Sequence, residues 1–268
     1  WMYKRRFATD ADRQSRALFE ASLPQTTGVG IVDVLNTLSW TRSGLVLLSP
    51  AQSVGGDRVH RDATAVPSQR LTDGRLAVWL EAAPPFSAVR LRITSGSPAA
   101  PARRVVFSGN TLDNGHIRVS IDRDRVAITE LSWAGAPGHD FAAGPSGLFQ
   151  YLYVPGRDPA LAISSAGARL TVEDAGPLLA TVRLDSAAPG TDGLTHRFSL
   201  VAGAETIEAA IKVGKTMVRA KESAHVAFPF HVPGGVIRVD QGEALVEIER
   251  DQLPGSCRDF IGAQSAVD

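Results

Sequence analysis

The sequence predicts a mainly β protein, two sandwich units of antiparallel sheet behind one short N-terminal helix. Three observations predict it. From about residue 29 onward apolar and polar residues alternate with a period of two, most strictly in "HIRVSID", "ARLTVED", "LATVRLD", "THRFSLV" and "TIEAAIKV", the pattern of a strand with one buried face. Turn clusters separate these runs, as in Asp113-Asn114-Gly115 and Ala188-Pro189-Gly190-Thr191-Asp192-Gly193. No helical pattern lies between them, so neighbouring strands are hairpin-linked and antiparallel. Finally, "SPAAPARR" at 97–104 is a Pro- and Ala-rich break, which places a unit boundary near residues 96–103.

Taken in order, residues 1–24 carry the helix. Tyr3, Phe7, Ala11, Gln14 and Leu18 recur at three- and four-residue spacing, and Pro24 stops it. The start "WMYKRRF", with Met2 second, reads as the edge of an excised piece. Residues 29–95 form a small sandwich: "GIVDVLN" and "SGLVLLS" flank the corner "TLSWTR", and Pro84-Pro85 divides "GRLAVWLEA" from "FSAVRLRITS". Residues 104–268 form the second, larger β unit. Within it "KESAHVAFPFHVPGG" opens on Lys221 and Glu222, which read as an acid/base pair or as a scaffold ion pair, and sets Pro229 between Phe228 and Phe230. Proline donates no ladder hydrogen bond, so this strand is expected at a sheet edge or a bulge, with both rings packed inward.

Length and charge bound the function. A chain of 268 residues buries a core without staples. Lys plus Arg and Asp plus Glu are both 28, which excludes a dedicated binder of nucleic acid or anionic membrane, since such affinity needs a basic excess. Cys257 is the single cysteine, so an internal disulfide and a cysteine-based zinc site are excluded. No apolar run approaches the ~20 residues that cross a bilayer.

Candidate chemistry is sparse. His225 and His231 flank the apolar core of the Pro229 stretch and read either as two ligands of a metal site completed by a remote carboxylate or as structural histidines. Asp122 with Asp124, and Asp251 with Asp259, are carboxylate pairs at turns, suited to glycoside chemistry or to capping. No nucleophile elbow, dinucleotide fingerprint or phosphate loop is present. Phe149, Tyr151 and Tyr153 alternate along one strand and read either as a sugar-stacking platform or as sandwich core. The loop residues Asp251, Gln252, Arg258 and Asp259 are candidates for one wall of a substrate cleft or, equally, turn caps.

Several stretches in order resemble glycoside hydrolase family 38, the α-mannosidases. They are "VDVLNTLSWTR", "LDNGHIRVSID", "GLFQYLYVPGRDPA", "AGPLLATVRLDSAAPG", "KESAHVAFPF" and "DQLPGSCRDFIGAQSAVD", spanning about residues 28–268. The resemblance implies that residues 104–268 are part of a galactose-mutarotase-like supersandwich, and that residues 1–24 are the remnant of a helical segment. It implies retaining hydrolysis of terminal α-mannosides by a longer protein. The aspartate nucleophile and a divalent metal, usually zinc, would lie in a preceding β/α barrel. That barrel is absent here, so no catalytic or metal residue is carried over. The expected partners are the barrel of the same polypeptide and an α-mannoside or other carbohydrate. The expected role is to buttress the barrel and shape the cleft. Two alternatives stand beside it: a free-standing carbohydrate-binding module on Phe149, Tyr151 and Tyr153, or a mutarotase-like epimerase in which His196 or His225 meets a glutamate.

Overall fold

The N-terminal helix carries ion pairs along its own surface. The computed structural model describes residues 2–23, 28–144, 146–242, 244–257 and 260–268. Helix α1 (Met2–Ser22) carries Arg6–Asp10, Arg13–Asp10 and Arg16–Asp12 pairs at three- and four-residue spacing, where side chains on a helix meet. Its apolar stripe is exposed: Tyr3, Phe7, Leu18 and Phe19 face solvent, with Tyr3 and Phe7 in edge-to-face contact at 5.1 Å.

The next strands are β1 (Ile31–Asn36), β2 (Arg42–Leu48), β3 (Arg58–Arg61), β4 (Thr64–Val66), β5 (Ser68–Arg70), β6 (Leu76–Ala83) and β7 (Ser87–Thr94). They form two antiparallel sheets, β1-β7-β3-β4 and β2-β6-β5. Period-two patterning puts Val89, Leu91 and Ile93 of β7 inside against Val59, Leu76 and Val78, with Arg90 and Arg92 outside. Asn36 explains the corner "TLSWTR". Its buried Nδ2, with two N–H donors, lies within 3.0 Å of the Trp40, Ala83 and Pro84 carbonyls, and its Oδ1 accepts from the Leu38 amide. The Trp40 ring itself is exposed.

The larger group holds β8 (Val106–Ser108), β9 (Thr111–Asp113), β10 (Ile117–Asp122), β11 (Ala127–Trp133), β12 (Gln150–Pro155), β13 (Ile163–Ser164), β14 (Ala168–Ala175), β15 (Leu179–Ser186), β16 (Thr191–Val201), β17 (Ile207–Lys215), β18 (Glu222–Ala227), β19 (Arg238–Gln241) and β20 (Ala244–Glu247). The sheets β11-β10-β9-β8 and β14-β15-β16-β17 enclose one core, in which Leu112, Val119 and Ile121 meet Val182, Leu184, Phe198 and Leu200. Strands β13-β12-β18 form a third sheet beside it. The Asp113-Asn114-Gly115 turn joins β9 to β10, with Gly115 at φ +76°, a region that favours glycine. Asn114 is buried there. Its Oδ1 caps the amides of His116 and Ile117, and its Nδ2 reaches the Val201 and Ala204 carbonyls at 2.7 and 2.8 Å.

The two groups of strands are fused through a small third cluster of Leu71, Ala77, Leu178, Leu179 and Ala202. Gln69 stitches it. Its Oε1 accepts from the amides of Leu178 and Leu179 at 2.8 and 2.9 Å, and its Nε2 donates to the Leu179 carbonyl at 3.0 Å. Segment 97–104 touches β5, where Ser68 N donates to the Ala99 carbonyl.

The Pro229 stretch behaves as an edge and then departs from expectation. Strand β18 is the edge strand of its sheet and stops at Ala227, before the proline. Phe228 and Phe230 are not buried; they stay 56% and 53% exposed, Phe228 touching Phe149 by one edge. Beyond Ala227 no ladder holds the chain, so the alternation that would bury them ends.

Candidate functional site

Phe149 and Tyr151 cannot form an exposed sugar platform. Strand β12 is the central strand of its sheet, and Phe149 directly precedes it. Phe149 is 8% exposed, its ring edge-on to His196, Phe198 and Phe228 at 5.5 to 5.7 Å. Tyr151 is 1% exposed, and its hydroxyl donates to the Pro189 carbonyl at 3.1 Å. The module reading based on this strand therefore loses its platform, because the rings are spent on the core.

Tyr153, half-buried, belongs to a polar latch instead. Its hydroxyl donates to Glu222 Oε2 at 2.7 Å, and Lys215 Nζ donates to Glu222 Oε1 at 2.5 Å. Lys215 thereby takes the place expected of Lys221 in a Lys221–Glu222 pair. Adjacent strand residues point to opposite faces, whereas Lys215 ends β17 and faces Glu222 across the gap. The Lys215 hydrogen bond, with the Tyr153 one behind it, holds the Glu222 carboxyl below its usual range, and the same carboxylate raises the Tyr153 phenol. A phenol kept protonated and a carboxylate kept ionised by each other make a fastening of β12, β17 and β18, not a nucleophile.

The cleft-wall candidates divide. Asp251 and Gln252 serve their own turn. Asp251 accepts from Arg250 Nε and from the Glu247 amide, while Gln252 accepts from the Glu249 amide and donates to the Cys257 carbonyl. Arg250 holds the Asp251 carboxyl below its ordinary range. Arg258 and Asp259 lie outside the described residues.

The epimerase reading falls on geometry. His196 is fully buried; its Nε2–H donates to the Phe149 carbonyl at 3.1 Å, and its Nδ1 has no partner among the described residues. Burial lowers its pKa to about 4, so the ring is neutral near pH 7. His225 shares a hydrogen bond with Ser223 Oγ. Neither ring meets a carboxylate among the described residues. His231 does not converge with His225 on a metal site either; its ring stacks on His139, whose Nε2 bonds the His231 carbonyl. Among the described residues no three His, Cys, Asp or Glu side chains are grouped as metal ligands.

What sequence reading missed is the cleft where the two groups of strands meet. One lobe is about 680 Å³ and the adjoining one about 430 Å³, with Leu45, Ser199 and Glu208 common to both. Its floor is the outer face of β14–β17, where Thr181 pairs with Ser199 and Arg183 with Arg197 in the ladder. Glu173 grips Arg197 bidentately at 2.7 and 3.0 Å and Arg183 at 3.2 Å; Arg183 Nε also donates to Asp185 at 2.9 Å. The Arg197 hydrogen bonds outweigh burial and hold the Glu173 carboxyl below its usual range. Leu45, Leu47 and Trp79 line the facing wall, and Trp79 lies so close over Gly203 that a Cβ there would stand 2.5 Å from the indole. The one available signal was the polar half of the alternation in "LATVRLD" and "THRFSLV", which reads as ordinary solvated surface.

No protein-family model matches this chain, and no curated protein matches its sequence. Solved structures do. An α-mannosidase from Enterococcus faecalis V583 is similar over 88% of this chain and 36% of its own, with a TM-score of 0.62 and 13% identity. A glycosyl hydrolase family 38 protein from Enterococcus faecalis is similar over 88% and 37%, with a TM-score of 0.57 and 15% identity. This chain has the fold of part of an α-mannosidase. It spans little more than a third of either solved chain.

Proposed function

We propose that the chain is the non-catalytic β region of an α-mannosidase-like glycoside hydrolase. In this reading residues 1–24 belong to a helical segment, 29–95 are a small sandwich, and 104–268 are part of a supersandwich. The β units brace a catalytic barrel of the same polypeptide, which would hold the nucleophile and a divalent metal, and they contribute to the carbohydrate cleft. One observation carries the reading: 88% of the chain is similar to a little over a third of an α-mannosidase structure and of a glycosyl hydrolase family 38 structure. The exposed apolar stripe of α1 supports it, since such a face is covered in a larger assembly. The test is hydrolysis of 4-nitrophenyl α-D-mannoside with and without added zinc. The 268-residue chain is expected to release no nitrophenol, and the polypeptide that includes the coding sequence before residue 1 is expected to release it. Turnover by the chain alone, or a preceding sequence without a barrel, overturns the reading.

A further inference from the structure

The geometry points to the cleft between the two groups of strands as a binding site for a neutral oligosaccharide. This is a function of the chain's own surface and does not depend on the bracing role.

The chemistry of the lining selects the ligand class. The larger lobe carries three arginines, Arg75, Arg183 and Arg197, against four carboxylates, Asp73, Glu173, Asp174 and Glu208. Near-balance of charge disfavours a strongly anionic or cationic ligand. A sugar presents adjacent hydroxyls that both donate and accept, and planar groups meet such pairs two bonds at a time. Here the planar groups are already fixed. Glu173 locks both guanidinia, yet Arg197 Nη1 and Arg183 Nη2 have no partner among the described residues. Glu208 supplies an exposed carboxylate with no ion-pair partner among the described residues, and Ser199 supplies a hydroxyl that the buried Thr181 hydroxyl holds at 3.0 Å. Groups held by strands and by one another lose little freedom on binding. The facing wall adds apolar surface for a sugar's C–H face, the aliphatic Leu45 and Leu47 and the half-buried indole of Trp79, whose Nε1–H donates to Glu81 at 3.3 Å. Each lobe falls within the ~300–1,000 Å³ usual for ligand sites, and such sites favour junctions between units. Two joined lobes fit an oligosaccharide better than a single ring.

The test is an amide and indole NMR titration of the 268-residue chain with a panel of neutral disaccharides: the α-1,2, α-1,3 and α-1,6 mannobioses, maltose and cellobiose. At least one is expected to shift the Trp79 indole N–H and the amides around Arg183, Arg197 and Ser199, with a Kd on the order of 1 mM. Arg197→Ala is expected to weaken that binding about tenfold or more. Glu208→Gln, at an exposed position that leaves the fold intact, is expected to weaken it severalfold. The proposal is overturned if no disaccharide moves these signals, if the shifts lie elsewhere, or if Glu208→Gln binds as the parent does. Because the readout is binding by the chain alone, its failure leaves the mannosidase reading standing, and hydrolysis results leave this one untouched.

Discussion

Acid should loosen this fold through one histidine before its carboxylates titrate. His196 sits on the inward face of β16 between the Phe149 and Phe198 rings, centroids 5.7 and 6.2 Å away. With Nε2–H spent on the Phe149 carbonyl, a second proton would go to Nδ1, which is buried and without a partner among the described residues. The cost appears as a folded pKa of about 4 against 6.5. A base with a depressed folded pKa binds fewer protons folded than unfolded between those two values. Stability is therefore full above pH 6.5, falls as pH drops, and stops falling from this source near pH 4. At ~1.4 kcal/mol per unit, a gap of about 2.5 units amounts to ~3 kcal/mol, with roughly 1.4 kcal/mol lost by pH 5.5. Urea unfolding measures it. With m near 2–3 kcal/mol per molar, the midpoint should fall by about half a molar between pH 7 and pH 5.5. His196→Gln should flatten that limb whatever its own stability at pH 7. A midpoint independent of pH between 6.5 and 4.5, or the same slope in His196→Gln, refutes the assignment.

Gln69→Ala should cost about 2–4 kcal/mol, since three buried backbone groups of Leu178 and Leu179 lose their partner; calorimetry should show the two groups of strands melting less cooperatively, and an unchanged single transition contradicts this. Asn114→Ala should cost about 2–3 kcal/mol by stripping the Val201 and Ala204 carbonyls and two turn amides, read as a lower urea midpoint. Glu222→Gln should lower the melting temperature, and its effect should vanish once acid protonates Glu222 in the parent, because a depressed carboxyl stabilises only above its folded pKa. In the longer α-mannosidase-like protein proposed above, the same substitution should leave turnover nearly unchanged; a large fall in turnover with unchanged melting would make Glu222 a chemical group rather than a fastening.

Strands were legible where burial is one-sided. Leu194, His196, Phe198 and Leu200 alternate with Thr195, Arg197 and Ser199 because β16 has one wet face, and period two is local information. The turn at Asp113-Asn114-Gly115 was legible for the same reason: its chemistry lies within three residues. Phe149 and Tyr151 were ambiguous, because an aromatic alternation looks alike on a platform and in a core. The neighbour across the sheet decides, and β16 is more than 40 residues away. Lys215 was passed over for Lys221 because adjacency in sequence is not adjacency between strands.

By itself the sequence determined the mainly β class, the antiparallel connections, the single N-terminal helix and the exclusion of disulfide and cysteine-zinc chemistry. These follow from local periodicity, turn residues and composition. Only the tertiary structure decided that Gln69 ties the two groups of strands together and that Tyr153, Lys215 and Glu222 form one latch. It alone placed Arg183, Arg197 and Glu173 opposite Trp79 in a cleft. Each includes residues separated by tens of positions, as Gln69 from Leu179 and Tyr153 from Glu222. Such partners are chosen by which strand lands beside which, and a one-residue change of register would exchange every buried side chain for an exposed one.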